Sequence, residues 1–424
     1  MNAGVLVFVF LIVLSVLGLP IFLSIAVGTM VSMVYAGFPL EAVAQKTFLG
    51  LNSASLLSIP FFILAGNLMA RGITQKLIGA ANVVVGRVRG STGAVTVLAS
   101  ALFGAISGSA VATVAAIGGM TIPAMEEEGY DKNYSTALAS AASLLGPMIP
   151  PSISLIVYAS LTEASVQKLF LTTAVPAIVC AVAFLAYTLY YGKKYNLPKQ
   201  PKRTAKESLL ILRDSIWALL MPIIVLGTIF GGICTVTEAA AISVIYSVLI
   251  GMFAYKTIRF KDLLDVIFNS AVSVAAIMVL VGLSKASAYV VIASQMPQSF
   301  MSLMTSMTSN KYVVLMIINL IFLVLGCLME GNSILVMMVP LMLPLIQACG
   351  MDLLQFGVMA CINIYIGCIT PPVGVSLLVG TKIGNTSMGP AFKAILPFLG
   401  IALIILAIVT YIPSFSLWLP YLGA

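Results

Sequence analysis

Twelve apolar runs fill most of this 424-residue chain: Gly4–Leu17, Pro20–Tyr35, Ser53–Ala70, Ser91–Met125, Tyr134–Leu161, Leu169–Tyr191, Asp214–Gly231, Thr235–Tyr255, Asn269–Ala293, Tyr312–Ala348, Leu353–Thr381 and Pro390–Ile412. A soluble core has no room for so much unbroken apolar sequence. In a bilayer each run can satisfy its backbone amides within its own helix, which is the condition for spanning lipid. A crossing needs about 20 apolar residues, and most of the runs reach that length. Composition agrees, with 61% hydrophobic and 8% charged residues and a mean hydropathy of +1.14, against about half and a quarter in a soluble domain. The expected fold class is an all-α polytopic membrane protein. A disordered chain, a secreted disulfide scaffold and a nucleic-acid binder are excluded. The first run continues past Pro20 without a preceding basic segment, so it reads as a span and not as a cleaved signal.

Two runs, Ser91–Met125 and Tyr312–Ala348, are too long for one crossing. Each is interrupted near its middle, by Ser107-Gly108-Ser109 and by Glu330-Gly331-Asn332-Ser333. Split there, each arm is about 24 Å of helix, short of a roughly 30 Å core. Two short arms meeting at a polar tip read as a re-entrant hairpin. Basic residues set the orientation. Arg71–Arg89, Glu126–Lys132, Lys193–Arg213, Lys256–Lys261 and Lys382–Lys393 hold 17 of the 21 Lys and Arg residues. The positive-inside rule puts these segments in the cytoplasm. Lys46, Lys168 and Lys311 then lie outside and Lys285 within a span. The outcome is ten crossings with both termini outside, provided that residues 1–36 cross twice; one long tilted helix there is the alternative. Trp217 and Trp418 then lie near span ends.

A gap-free offset of 221 superposes the two halves of the sequence. It carries Pro123 onto Pro344, Gly129 onto Gly350, Asp131 onto Asp352, Gly146 onto Gly367, Pro150-Pro151 onto Pro371-Pro372 and Pro176 onto Pro397. Upstream, Pro39-Leu40 and Phe260-Lys261 start two short amphipathic stretches. Each half reads as two spans, a horizontal helix, a span, a hairpin and two further spans. Five crossings per half is an odd number, so the repeats are inverted. Inverted repeats with broken helices at the midplane are the mark of a secondary transporter.

The Pro-Pro pairs are the breaks. Each pair removes two backbone donors and clashes with the preceding turn, so carbonyls around Gly146–Ile149 and Gly367–Thr370 lose their partners. A bare cation suits such oxygens. A proline kink repaired by neighbouring hydroxyls is the bland alternative, and its repetition in both halves favours a functional break. The hairpin tips supply the other half of each site. The second arm starts at its tip, so its N-terminal dipole favours a carboxylate there. The candidate sodium ligands are Ser107, Gly108, Ser109, Gly146, Ile149, Gly331, Asn332, Gly367 and Thr370. The candidate substrate contacts are Ser107, Ser109, Thr113, Asn332 and Ser333. No organic cofactor is expected.

Other residues weigh less. The chain has no histidine, which excludes a Ser-His-Asp triad, His-ligated metal and a histidine proton relay. Six cysteines without C-x-x-C spacing read as core hydrophobes. No P-loop motif is present, and no enzyme activity is expected. Thr235-x-x-Glu238 reads as a capping box, Glu126-Glu127-Glu128 as a solvated hairpin end and Gly118-Gly119 as a helix-packing site. Glu330 is either an ion site or a tip cap. Lys285 either meets a partner subunit or faces the cavity.

Phe103-Gly104-Ala105-Ile106-Ser107-Gly108-Ser109-Ala110, Ile122-Pro123-Ala124-Met125, Gly146-Pro147-Met148-Ile149-Pro150-Pro151-Ser152 and Thr370-Pro371-Pro372-Val373-Gly374 resemble the large membrane subunit of TRAP (tripartite ATP-independent periplasmic) transporters. So do Ile59-Pro60-Phe61-Phe62 and Thr237-Glu238-Ala239-Ala240, and the resemblance runs along essentially the whole chain. It implies sodium-driven uptake of an organic acid anion, such as a four-carbon dicarboxylate or sialic acid. The acid would be delivered by a periplasmic substrate-binding protein, with a small four-helix membrane subunit on a separate chain. It implies the bacterial inner membrane, with periplasmic termini, and an elevator built of a frame and a moving unit. Residues 1–90 and 214–310 would be frame, 91–191 and 311–424 the transport parts, and 192–213 a basic cytoplasmic linker. A standalone sodium or proton carboxylate symporter of related fold and an ion channel remain the alternatives.

Overall fold

The computed structural model describes residues 2–200, 204–308 and 310–422, and no strand occurs among them. Part of the basic linker, Pro201–Arg203, lies outside the described residues, as do the terminal residues Met1, Gly423 and Ala424. Among the described residues, seven helices are long and apolar enough to span a bilayer, and the pair Lys132–Met148 and Ile153–Thr162, bent by 42°, raises the number to eight. Length alone does not reproduce the ten expected crossings. The long set includes both arms of the second hairpin, and it omits the shorter N-terminal helices.

Residues 2–36 hold two helices, Ala3–Val16 and Ile21–Ala36, with a turn ending at Pro20. The second folds back on the first: a Cβ added to Gly28 would lie 3.0 Å from the Val7 carbonyl and 3.1 Å from Phe10 Cβ. A single tilted helix is therefore excluded. Next come the short helix Glu41–Leu51 and the helix Ser58–Ala70. In the second half the corresponding stretch is one continuous helix, Phe260–Ala293. The separate horizontal helix expected at Phe260-Lys261 does not exist. The cause is local: Asn52-Ser53-Ala54-Ser55 compete for backbone hydrogen bonds, whereas the offset puts Ser273-Val274-Ala275-Ala276 in their place.

The repeat is visible as shared punctuation. Asp131 and Asp352 each N-cap the helix that leads to a Pro-Pro pair, accepting from Tyr134 N at 2.9 Å and from Leu354 N at 2.7 Å. Both pairs, Pro150-Pro151 and Pro371-Pro372, are cis. Helices open at both: Leu145–Met148 gives way to Ile153–Thr162, and Leu353–Cys368 to Val375–Ile383. Thr235 and Glu238 form the expected capping box at the start of Val236–Leu249.

Three further expectations change. The linker is partly helical, because Val166–Lys194 extends into it and Ala205–Phe230 begins in it, which leaves Trp217 near the middle of the latter helix. The Glu126–Glu128 run is not simply solvated: Glu128 accepts from Thr92 Oγ1 at 2.8 Å and from Gln200 Nε2 at 3.3 Å. Of the two tip-distal glycines, Gly118 sits against Ala139 while Gly119 has open space.

Each hairpin lies against its own broken helix at backbone distance. A Cβ on Gly104 would stand 2.6 Å from Gly146 Cα, and one on Gly367 would stand 2.4 Å from Gly326 Cα. Gly104→Ala is expected to cost about 1–3 kcal/mol through overpacking, read as a lowered thermal unfolding midpoint in detergent. A midpoint equal to that of the parent would show that the seam is loose.

Candidate functional site

The first arm, Ser91–Ser107, ends at Gly108, whose φ of +60° only glycine adopts without strain. The chain then restarts as a helix with Ser109 as N-cap, its hydroxyl accepting from Ala112 N at 3.3 Å. This turn is pressed onto the first break, since a Cβ on Gly108 would lie 2.5 Å from the Pro151 carbonyl oxygen. Thr113 Oγ1 donates to the Ser109 carbonyl at 2.7 Å and stands 3.5 Å from Ser107 Oγ. Gly146 is packed on the same atoms: its added Cβ would meet Thr113 Oγ1 at 2.6 Å and the Ser109 carbonyl at 2.9 Å. Ser107, Ser109, Thr113 and Gly146 are thus brought together in a closely packed, oxygen-rich cluster. The second arm continues through a π-helical turn, Val114–Gly118, a distortion often found beside functional sites.

The second tip follows the same plan with a different cap. Glu330 N-caps Gly331–Ala348 through its own carboxylate. That carboxylate accepts from Ser333 N at 3.1 Å, Ser333 Oγ at 3.2 Å and Asn332 Nδ2 at 2.9 Å. Behind the tip, the Cys327 carbonyl accepts from Val373 N at 3.1 Å and Gly374 N at 3.4 Å, tying this hairpin to the second Pro-Pro break. Thr370 folds back on its own helix, with Oγ1 donating to the Ile366 carbonyl at 2.7 Å and its N–H to the Gly367 carbonyl at 2.9 Å. The two sites are stitched together by Ser154, just past the first break, whose hydroxyl donates to Asn332 Oδ1 at 2.7 Å.

Both tips and both broken helices open onto one cavity of about 430 Å³. Its lining includes Gly108 and Ser109 from the first tip, Glu330–Ser333 from the second, Ile153 and Ser154, Tyr365, Cys368 and Val375 from the broken helices, and Phe22, Ile277 and Leu280 from elsewhere. Of the candidate substrate contacts, Ser109, Asn332 and Ser333 line it. Ser107 and Thr113 stand behind the tip, outside that lining. Gly146 and Gly367 lie in the hairpin–break seams, and Ile149 and Thr370 at the breaks themselves, all outside that lining. Sequence reasoning passed over Ser154 and Tyr365. Ser154 follows Pro150-Pro151 closely and its polarity in an apolar run was a usable signal. Tyr365 carried none, because only the tertiary fold brings it to the tips.

Lys285 reaches the end of the first broken helix. Its Nζ donates to the Ser160 carbonyl at 2.8 Å, and its stem packs on Gly50. It shares a polar cavity of about 530 Å³ with Lys46 and Glu163.

Comparison with known proteins gives a consistent picture. Residues 8–415 match the family model described as the tripartite ATP-independent periplasmic transporter, DctM component. The isethionate TRAP transporter permease protein DctMQ of Oleidesulfovibrio alaskensis is 36% identical over 95% of this chain and 64% of its own length. The C4-dicarboxylate TRAP transporter large permease protein DctM of Pseudomonas aeruginosa is 35% identical over 93% of this chain and 92% of its own. Among solved structures, the YdaH transporter of Alcanivorax borkumensis shares the fold, with a TM-score of 0.61 at 15% identity over 92% of this chain and 90% of that one.

The geometry separates cavity residues from seam residues, and thiol labelling reads that difference. With the six native cysteines replaced, Ser109→Cys and Asn332→Cys are expected to react with a small methanethiosulfonate reagent at least tenfold faster than Thr113→Cys, followed as a mass shift. Equal rates at all three positions would refute the separation.

Proposed function

Because the chain belongs to the DctM component family of tripartite ATP-independent periplasmic transporters, we propose that it works as the large membrane subunit of a sodium-driven importer of an organic acid anion. The observation that carries this reading is the double pairing of a hairpin tip with a Pro-Pro break, both opening onto one cavity. Broken helices leave backbone oxygens in apolar surroundings, where an unpaired carbonyl costs several kcal/mol. An alkali cation removes that cost.

The first sodium is assigned to the cluster of Ser107, Gly108, Ser109, Thr113 and the Gly146–Ile149 turn, and the second to Gly331, Asn332, Gly367 and Thr370. The anion is assigned to the cavity between the tips, which Ser109, Asn332 and Ser333 line. Sodium then has two roles. It balances the substrate's charge, so that the carboxylate does not cross the bilayer uncompensated. Any surplus of sodium over substrate charge also draws on the membrane potential, worth about 2.3 kcal/mol per charge per 100 mV.

The moving unit in this reading comprises the two hairpins, the broken helices and the helices that follow them. The frame comprises residues 1–90 and 214–310. Lys285 and Ser160 then face each other across the boundary between them. The isethionate relative is longer than this chain, which fits a partnership with a second, small membrane subunit. The family's description supports supply of the acid by a periplasmic binding protein. The bacterial inner membrane, with both termini periplasmic, follows from that supply and from the positive-inside orientation.

The test is radiotracer uptake into proteoliposomes that hold the large and small subunits, with the binding protein outside. Replacing sodium by choline is expected to abolish uptake, and omitting the binding protein to reduce it to background. Thr113→Val should raise the half-saturating sodium concentration about tenfold, while Asn332→Ala should lower uptake at every sodium concentration. Undiminished uptake in choline would end the sodium reading, and full uptake without the binding protein would make the chain a standalone symporter.

A further inference from the structure

The two tips are related by the repeat but differ in charge. The offset of 221 places Glu330 on the position of Ser109, and both residues N-cap the second arm of their hairpin. At the first tip the cap is a neutral hydroxyl. At the second it is a carboxylate that has already taken the local donors: the Ser333 N–H, the Ser333 hydroxyl and one amide N–H of Asn332. The other end of Asn332 is occupied by Ser154. The second tip therefore offers an arriving anion little to bind and a fixed negative charge to oppose it.

The first tip keeps a donor free. Tyr365 adds its side chain to the cavity wall, while its hydroxyl is enclosed by protein. The Ser109 hydroxyl accepts from Ala112 N and keeps its hydrogen for a ligand. The cavity lining contains no Lys or Arg among the described residues, and a good part of it is apolar, with Phe22, Ile277 and Leu280 facing the tips.

We infer that the transport cavity selects organic acids with a single negative charge: one carboxylate held at the first tip by Ser109, an apolar body against Phe22, Ile277 and Leu280, and a second carboxylate rejected by Glu330. The inference rests on the reading that this cavity is the transport site. Charge balance leads to the same class. Of two sodium ions, one is neutralised by Glu330 and one by the substrate carboxylate, so a monoanion leaves the loaded site neutral. A dicarboxylate leaves a negative charge that must be carried through hydrocarbon, where an uncompensated charge is costly.

The experiment compares straight-chain monocarboxylates of four to six carbons with the dicarboxylates of the same lengths. Binding to the full-length chain in lipid nanodiscs is read as the concentration needed for half-maximal thermal stabilisation, in sodium and in choline. The wild-type chain should respond to the monocarboxylates at concentrations at least tenfold lower. Glu330→Gln should narrow the gap below threefold by improving the dicarboxylates. Ser109→Ala should weaken the monocarboxylates about tenfold.

A dicarboxylate that binds the wild-type chain as well as its monocarboxylate overturns the inference. If that binding still needs sodium, the transport reading stands without it. Monocarboxylate preference that persists unchanged in choline supports the substrate class and removes the sodium coupling. No stabilisation by either series overturns both readings. The wild-type comparison decides the matter by itself should Glu330→Gln fail to fold.

Discussion

The backbone hydrogen bond in hydrocarbon governs this molecule. A helix interrupted at membrane depth exposes carbonyls and N–H groups that lipid cannot serve, and the interruption survives only where other parts of the protein enclose it. Here two Pro-Pro pairs force such interruptions, and two hairpins enclose them. The enclosure is tight because glycine lines it. Gly104 meets Gly146, and Gly326 meets Gly367, at distances that would leave an added methyl in the neighbouring backbone. Local chemistry at the prolines thus dictates a tertiary arrangement, hairpin against broken helix, in each half.

Much of that arrangement was legible because its determinants are local. Proline pairs break helices wherever they fall, and glycine-flanked serines inside an overlong apolar run mark a turn. Asp131 and Asp352 announce helix starts by the same capping chemistry that operates in any helix. Features that depend on helix continuity were not legible. The run Ser273–Ala276 looked equivalent to Asn52–Ser55 under the repeat, yet replacing Asn52 and Ser55 with Ser273 and Ala276 lets one long helix run where the first half has two. The linker was read as a loop from its charge, but lysine and arginine are good helix formers, and Ala205–Phe230 begins among them with Thr204 and Glu207 as a capping box.

The site was legible in outline and incomplete in detail for the same reason. Each tip could be found from its own sequence, whereas the meeting of the two could not. Ser154 belongs to the first half and Asn332 to the second, and their 2.7 Å hydrogen bond joins residues 178 positions apart. Tyr365 sits in a helix buried along most of its length and gives no sign in the sequence that its ring lies beside Gly331 of the second tip. Polar groups that converge from both repeats are a property of the packing, and pairwise sequence patterns within one repeat do not contain it.

The helix after the first break is held at both ends by side chains from other elements. Ser154, at its start, is bonded to Asn332 of the second hairpin, and the Ser160 carbonyl, near its end, accepts from Lys285 of Phe260–Ala293. The two attachments have different consequences for movement. Hairpin and broken helix belong to the same proposed unit, so the Asn332 bond travels with the site and keeps the two tips in register. Lys285 belongs to the proposed frame, so its bond must break when the unit moves. A lysine in a span is costly unless it is solvated or paired. Glu163, in the polar cavity that Lys285 shares, supplies an alternative partner of opposite charge for that separation. The charge least expected in the sequence therefore stands where the proposed movement calls for a contact that can be exchanged rather than one that is permanent.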